Sequence, residues 1–228
     1  MSALRRVIAR RDDDGVSLAE LIVAIMVFGI VVTIVSTTFV SLTKATAQAR
    51  GVDGNTRVAS NVMNDLARTI RAARTIPRAD GTQAASFTAA STESMTLSSA
   101  VNVTDAATTV PRQVTFRVAA DRSLTSSSIV ATTVTGGFYQ FTSPATTRTV
   151  GGSVVTPASS GTPLFAYLDF AGTPLVPDAS GALTTTQLSS IAAVTITLTI
   201  DRTSTPSSQA VTLQNTVSLS NLAGGVTT

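Results

Sequence analysis

Hydrophobic residues are concentrated in one run near the start of the chain, at residues 21–43, where no side chain is charged. The run begins almost purely as hydrocarbon and becomes richer in serine and threonine towards its end. A helix needs about 20 apolar residues to cross the core of a bilayer. We therefore expect a membrane-spanning helix here, and its course is marked by Leu21, Val27, Gly29, Val35 and Leu42.

A helical pattern continues beyond this run, because hydrophobic residues then recur at spacings of three and four. No proline occurs in residues 16–76, so this stretch is predicted to form one helix that ends before Pro77. Gly51 and Gly54 each cost about 1 kcal/mol relative to alanine in a helix. They predict a soft point, kink or break near residues 51–55, and Gly29 predicts a second soft point. The apolar stripe consists of Ala59, Met63, Leu66, Ile70 and Ala73.

Four arginines lie off this stripe, at Arg57, Arg68, Arg71 and Arg74. The preferred interpretation is a solvated helix face. A row of side chains that binds a ligand is the alternative.

The pattern changes from helical to alternating after Gly81, and Val114, Phe116 and Val118 share one predicted strand face. A helix followed by strands predicts an α+β fold, in which an antiparallel β-sheet packs on the long N-terminal helix. Strands are expected at residues 93–103, 112–118, 124–134, 164–170, 191–200 and 210–219. A turn is expected at residues 120–123, and a long surface loop rich in Gly, Ser, Thr and Pro at 142–163.

The composition narrows the possible chemistry. The chain contains neither cysteine nor histidine, which excludes Ser-His-Asp and Cys-His catalysis and the common zinc sites. Calcium bound by aspartates and backbone oxygens stays open, although no loop has the acidic spacing of an EF-hand. We expect no cofactor, no metal and no enzymatic activity.

Charge predicts the orientation. The first 15 residues carry four arginines, and a positive flank keeps its side of a span in the cytoplasm, whereas acids count little. The leader is therefore expected to be cytoplasmic and residues 79–228 to lie outside. Its arginines are Arg5, Arg6, Arg10 and Arg11.

A secretory signal peptide would have a shorter apolar core than this run and a better cut site than residues 36–38. A plain anchor explains the span but leaves Gly15 and Glu20 unexplained. A carboxylate at the bilayer edge costs about 2–3 kcal/mol unless it is paired. Cleavage after Gly15 would create a free amine at Val16, one helical turn from Glu20.

This arrangement resembles the signal shared by type IV prepilins and the pseudopilins of type II secretion. Gly15 matches the glycine before the prepilin-peptidase cut, Leu18 the usual leucine and Glu20 the usual glutamate. Val16 stands where the family most often has phenylalanine. The resemblance implies cleavage after Gly15, N-methylation of Val16 and assembly through Glu20. Where the family has a helix-kinking proline, this chain has Thr37.

A second resemblance covers the C-terminal part. Residues 165–169 with Gly172, two long strands and Asn221 are similar to W-class minor pilins and J-class pseudopilins, as is the helix at residues 64–73. Four regions follow: a leader removed by the peptidase (1–15), a transmembrane and filament-core helix (16–43), its amphipathic second half (44–78) and an extracytoplasmic β-rich domain (79–228).

Three functional classes compete. The leading one is a structural, minor subunit of a pilus, located on the cell surface once it is assembled. Its expected partners are the membrane, prepilin peptidase and other pilin subunits. A secretion pseudopilin is the nearest alternative. A membrane-anchored enzyme would have to use an acid such as Asp169, which is better interpreted as a turn residue before Gly172. A nucleic-acid partner has only the positive stretch at residues 44–78 in its favour, without aromatic side chains to stack on bases.

Overall fold

The computed structural model describes residues 17–77, 81–100, 110–134, 136–154, 161–201 and 210–219. The chain divides into two compact units, Met1–Ala47 and Gln48–Thr228. Within the second unit, the α1 residues pack against antiparallel sheets, as the α+β prediction requires.

The helix α1 extends from Leu18 to Arg71. The expected break near residues 51–55 is absent, because the helix continues through Gly51 and Gly54. The predicted end at residue 76 is wrong. After Arg71 the chain turns to pair with a strand: the Arg74 amide donates to the Ser98 carbonyl at 2.9 Å. Tertiary pairing therefore ends the helix before Pro77 could.

The strands, in chain order, are β1 (Ile76–Pro77), β2 (Gln83–Ala84), β3 (Phe87–Ala90), β4 (Ser94–Ser99), β5 (Arg112–Val118), β6 (Ser123–Val130), β7 (Thr132–Thr133), β8 (Tyr139–Gln140), β9 (Thr146–Ser153), β10 (Phe165–Leu168), β11 (Pro174–Leu175), β12 (Ala193–Ile200) and β13 (Val211–Ser218). A short helix, α2, covers Thr185–Ser190.

Two antiparallel sheets form the body of the second unit. One has the order β3-β4-β5-β6-β9 and the other β11-β10-β12-β13. A bridge between Val154 and Ile200 joins them, and the Tyr167 hydroxyl donates to the Ser91 carbonyl at 2.9 Å. The predicted strand at residues 112–118 is confirmed, as is its hairpin partner, since Val118 pairs with Leu124.

The predicted loop at residues 142–163 is wrong in part, because Thr146–Ser153 forms β9 along the edge of β6. Threonine and glycine in this segment are typical of a loop. In the structure, however, the missing side chain of Gly151 allows β9 to lie close to α1. A Cβ atom at Gly151 would lie 3.1 Å from Cγ2 of Val62. α2 was also not predicted; it begins with a capping box between Thr184 and Gln187.

The predicted stripe on α1 is confirmed as the helix side of the core. Ala59, Leu66 and Ile70 are fully buried and Met63 nearly so, and Ala73 is also fully buried although it lies just beyond the end of α1. They belong to one cluster with the inward side chains of both sheets, including Phe116, Leu124 and Ile196.

Candidate membrane and assembly segment

The apolar segment, residues 21–43, forms a continuous part of α1. The first bond of the helix comes from the Leu21 amide to the Ser17 carbonyl, at 3.0 Å. The segment is long and apolar enough to cross a membrane.

Every residue of the apolar segment is exposed. Leu21, Val27, Val35 and Leu42 are between 54 % and 64 % exposed, and a Cβ atom at Gly29 would meet nothing within 4 Å. Soluble proteins rarely expose contiguous apolar patches above a few hundred Å² unless a partner covers them. This surface therefore requires a bilayer or other apolar helices around it.

The threonine hydroxyl groups within the segment are satisfied by the helix itself. Thr33 donates to the Gly29 carbonyl at 2.8 Å and Thr38 to the Ile34 carbonyl at 2.8 Å. Thr37 donates to the Thr33 and Ile34 carbonyls, both at 2.9 Å. Lipid offers these groups no partner, so internal bonding lets them enter an apolar environment. Sequence reasoning missed this feature, although the threonines in the run were its signal.

Glu20 lies in the first turn of α1 and is exposed. A carboxylate at this end is favoured by the helix dipole, whose positive pole is the N-terminus. Gly15 and Val16, the predicted cleavage and methylation positions, lie outside the described residues. The pairing of Glu20 with a Val16 amine therefore stays a prediction.

Asp169, the residue on which an anchored enzyme was considered, is confirmed as a turn residue. It follows β10 directly, and its Oδ1 accepts from the amides of Ala171 at 2.9 Å and Thr173 at 2.7 Å. Asp178 is similar: bonds from the Ser180 hydroxyl and amide hold the pKa of its exposed carboxyl below the usual value. Both carboxylates are engaged in organising turns.

Comparison with family models gives one match. Residues 10–36 match the prokaryotic N-terminal methylation motif. The chain is type IV prepilin-like at its N-terminus. The match runs from the charged leader through Gly15, Val16 and Glu20 into the apolar segment.

This prepilin-like motif points to a substrate of prepilin peptidase, to a single-pass membrane anchor and to a structural subunit that assembles with pilins or pseudopilins. No curated protein and no solved structure matches the chain at a significant level.

Proposed function

We propose that this prepilin-like chain is a minor structural subunit of a type IV pilus or a related filament. It is inserted as a prepilin, cut after Gly15, methylated on Val16 and added to the filament. The observation that carries this proposal is the continuity of the methylation motif with a helix whose apolar surface is exposed on all sides. A pseudopilin of type II secretion is the alternative, because both machines read the same signal.

The exposed apolar segment suits two successive environments. In the membrane its side chains meet lipid. In a filament they would meet the same segment of other subunits, and such helices associate by close packing and hydrogen bonds because lipid and side chains are equally apolar. Gly29 and the self-bonded threonines offer small, internally satisfied surfaces for that packing.

The arginine-rich leader supports an N-terminus inside the cell and residues 79–228 outside it. The proposed regions are the leader 1–15, the core helix 16–43, its amphipathic continuation 44–78 and the exterior domain 79–228. The minor role rests on similarity of the C-terminal part to W-class and J-class subunits. Consistent with that similarity, β10 is followed by the Asp169–Gly172 turn, and β12 and β13 form a long hairpin.

Glu20 is assigned to pair with a Val16 amine, either within the subunit or on a neighbour. Removing one member of a buried ion pair typically costs about 3–5 kcal/mol, since the remaining charge is left uncompensated. Glu20→Ala should therefore still be inserted and cut, yet enter filaments poorly. If Glu20 only marks the membrane edge, the substitution should be harmless or favour insertion.

The measurement is the amount of this protein in sheared filaments divided by its amount in membranes. Asp53→Asn is the matched control, because Asp53 is an exposed acid further along the same helix, paired with Arg57 at 2.8 Å. We expect a large fall for Glu20→Ala and none for Asp53→Asn. An unchanged ratio for Glu20→Ala would contradict the assembly role. A minor subunit should also be outnumbered by another pilin in the same filaments.

A further inference from the structure

The face of the five-stranded sheet that packs on α1 changes character along its strands. At one end it is apolar, with Phe116 and Leu124 fully buried. Towards the other end the same face carries polar side chains. Arg112 pairs in register with Ser99 and Arg148 with Ser126, and Ser128 lies opposite Val114.

This polar end forms a pocket of about 150 Å³ beneath the last turns of α1. One water needs only about 10–15 Å³ of such volume, so the pocket has room for a small polyatomic ion. Its polar side chains come from α1, β4, β5, β6 and β9, and they are Asp65, Arg68, Thr69, Ser99, Arg112, Ser126, Ser128 and Arg148.

The pocket is rich in positive charge. Arg68, Arg112 and Arg148 come from three separate elements, and Asp65 is the one acid among the lining residues. Nη2 of Arg148 contacts Oδ2 of Asp65 at 2.7 Å. A guanidinium carries five N–H donors, so this contact leaves Arg148 able to bind another acceptor. The lining therefore carries three guanidinium groups and one carboxylate.

The floor of the pocket is lined by hydroxyl groups. Ser99 and Ser126 are buried, and the Ser99 hydroxyl donates to the Thr69 carbonyl at 3.0 Å. Oγ of Ser128 is buried and has no hydrogen-bond partner within the described part of the chain. Buried polar atoms are nearly always paired, and an exception calls for a ligand or another explanation.

We infer that this pocket binds a phosphate group, either as inorganic phosphate or as the terminal phosphate monoester of a larger molecule. Guanidinium groups bind phosphate through paired hydrogen bonds, and three of them line this pocket. The Ser128 hydroxyl supplies a donor to a phosphate oxygen. A carboxylate has only two oxygens and would leave some of these donors unused.

The test is isothermal titration of the full-length protein in zwitterionic detergent, in chloride buffer, with inorganic phosphate, glycerol 1-phosphate and acetate. Saturable binding of phosphate is expected, with acetate much weaker. Binding of glycerol 1-phosphate as well would identify a monoester as the source, and binding of phosphate alone would identify the free ion. Absence of saturable phosphate binding, or equal binding of acetate, would overturn the inference.

Variants localise the binding. Arg112→Gln should weaken phosphate binding by about tenfold, because one charge-assisted hydrogen bond is lost. Ser128→Ala removes a single hydroxyl group and should weaken phosphate binding by about threefold. Arg57→Gln is the control: it removes the same charge from α1 at a 77 % exposed side chain paired with Asp53, away from the pocket. Equal loss for Arg57→Gln and Arg112→Gln, or unchanged binding for both pocket variants, would refute the site.

Discussion

The contact between β9 and α1 at Gly151 offers a sensitive test of the packing in the second unit. Replacing Gly151 by alanine adds a Cβ atom that would lie 3.1 Å from Cγ2 of Val62 and 3.6 Å from Cβ of Leu124. Val62 is 1 % exposed, and a β-branched side chain in a helix has one strongly preferred rotamer. Neither partner can turn away, so the helix and the strand must separate by a few tenths of an ångström.

The magnitude follows from two opposed effects. Overpacking a core by one methyl group costs about 1–3 kcal/mol. Replacing glycine by alanine also lowers the conformational entropy of the unfolded chain, which stabilises the folded protein by about 0.4–1 kcal/mol. Taking the middle of each range, the net destabilisation expected for Gly151→Ala is about 1.3 kcal/mol, which corresponds to a fall in Tm of about 3–5 °C for a chain of this size.

The assay is thermal unfolding of the full-length protein in detergent, followed by the β-sheet circular dichroism signal. Gly51→Ala is the control, because a Cβ there meets nothing within 4 Å and alanine favours a helix by about 1 kcal/mol. Its Tm should rise. Adding Val62→Ala to Gly151→Ala should destabilise less than the sum of the single changes, with a coupling of about 0.5–3 kcal/mol. An unchanged Tm for Gly151→Ala, or strict additivity, would refute the packing described.

Two further predictions concern pH and orientation. Burial raises the pKa of Tyr167 above its usual range. The neutral hydroxyl therefore stabilises the folded protein fully below the pKa of an unfolded tyrosine, about 10, and this stabilisation is lost as the pH rises through the pKa of the folded protein. In a Tyr139→Phe variant, phenolate absorbance should thus appear only as the protein unfolds in alkali; reversible ionisation near pH 10 with the strands intact would contradict the buried hydroxyl. A reporter enzyme that works only outside the cytoplasm should be active when fused after Thr228, whereas activity of a cytoplasm-only reporter there would contradict the proposed orientation.

Local patterns predicted those elements whose side chains repeat on one face. Val114, Phe116 and Val118 identify β5, because all three are buried against the core. The apolar stripe on α1 was predictable for the same reason. β9 was not, since Thr146–Ser153 has few apolar side chains and is held by pairing with β6 and by the close approach of Gly151 to Val62.

The assembly segment and the proposed phosphate pocket also differ in how far the sequence predicts them. Glu20 and the apolar segment are contiguous in the sequence, so their spacing singles them out, and the resemblance to prepilins supplies the predicted role of Glu20 in assembly. The phosphate pocket depends on strand order: Arg112 and Arg148 become neighbours of Arg68 only when β5 and β9 lie on either side of β6. The sequence pattern could suggest a ligand for the arginines of α1, but not the strands that complete the pocket.

The central claim is that the chain is processed as a prepilin, and the mass of the mature protein tests it most directly. Protein purified from the membranes of cells that contain prepilin peptidase should begin at Val16, with one methyl group on its amine, and Gly15→Leu should leave the uncut precursor in the membrane. Protein that retains Met1 to Gly15 in such cells would contradict the claim.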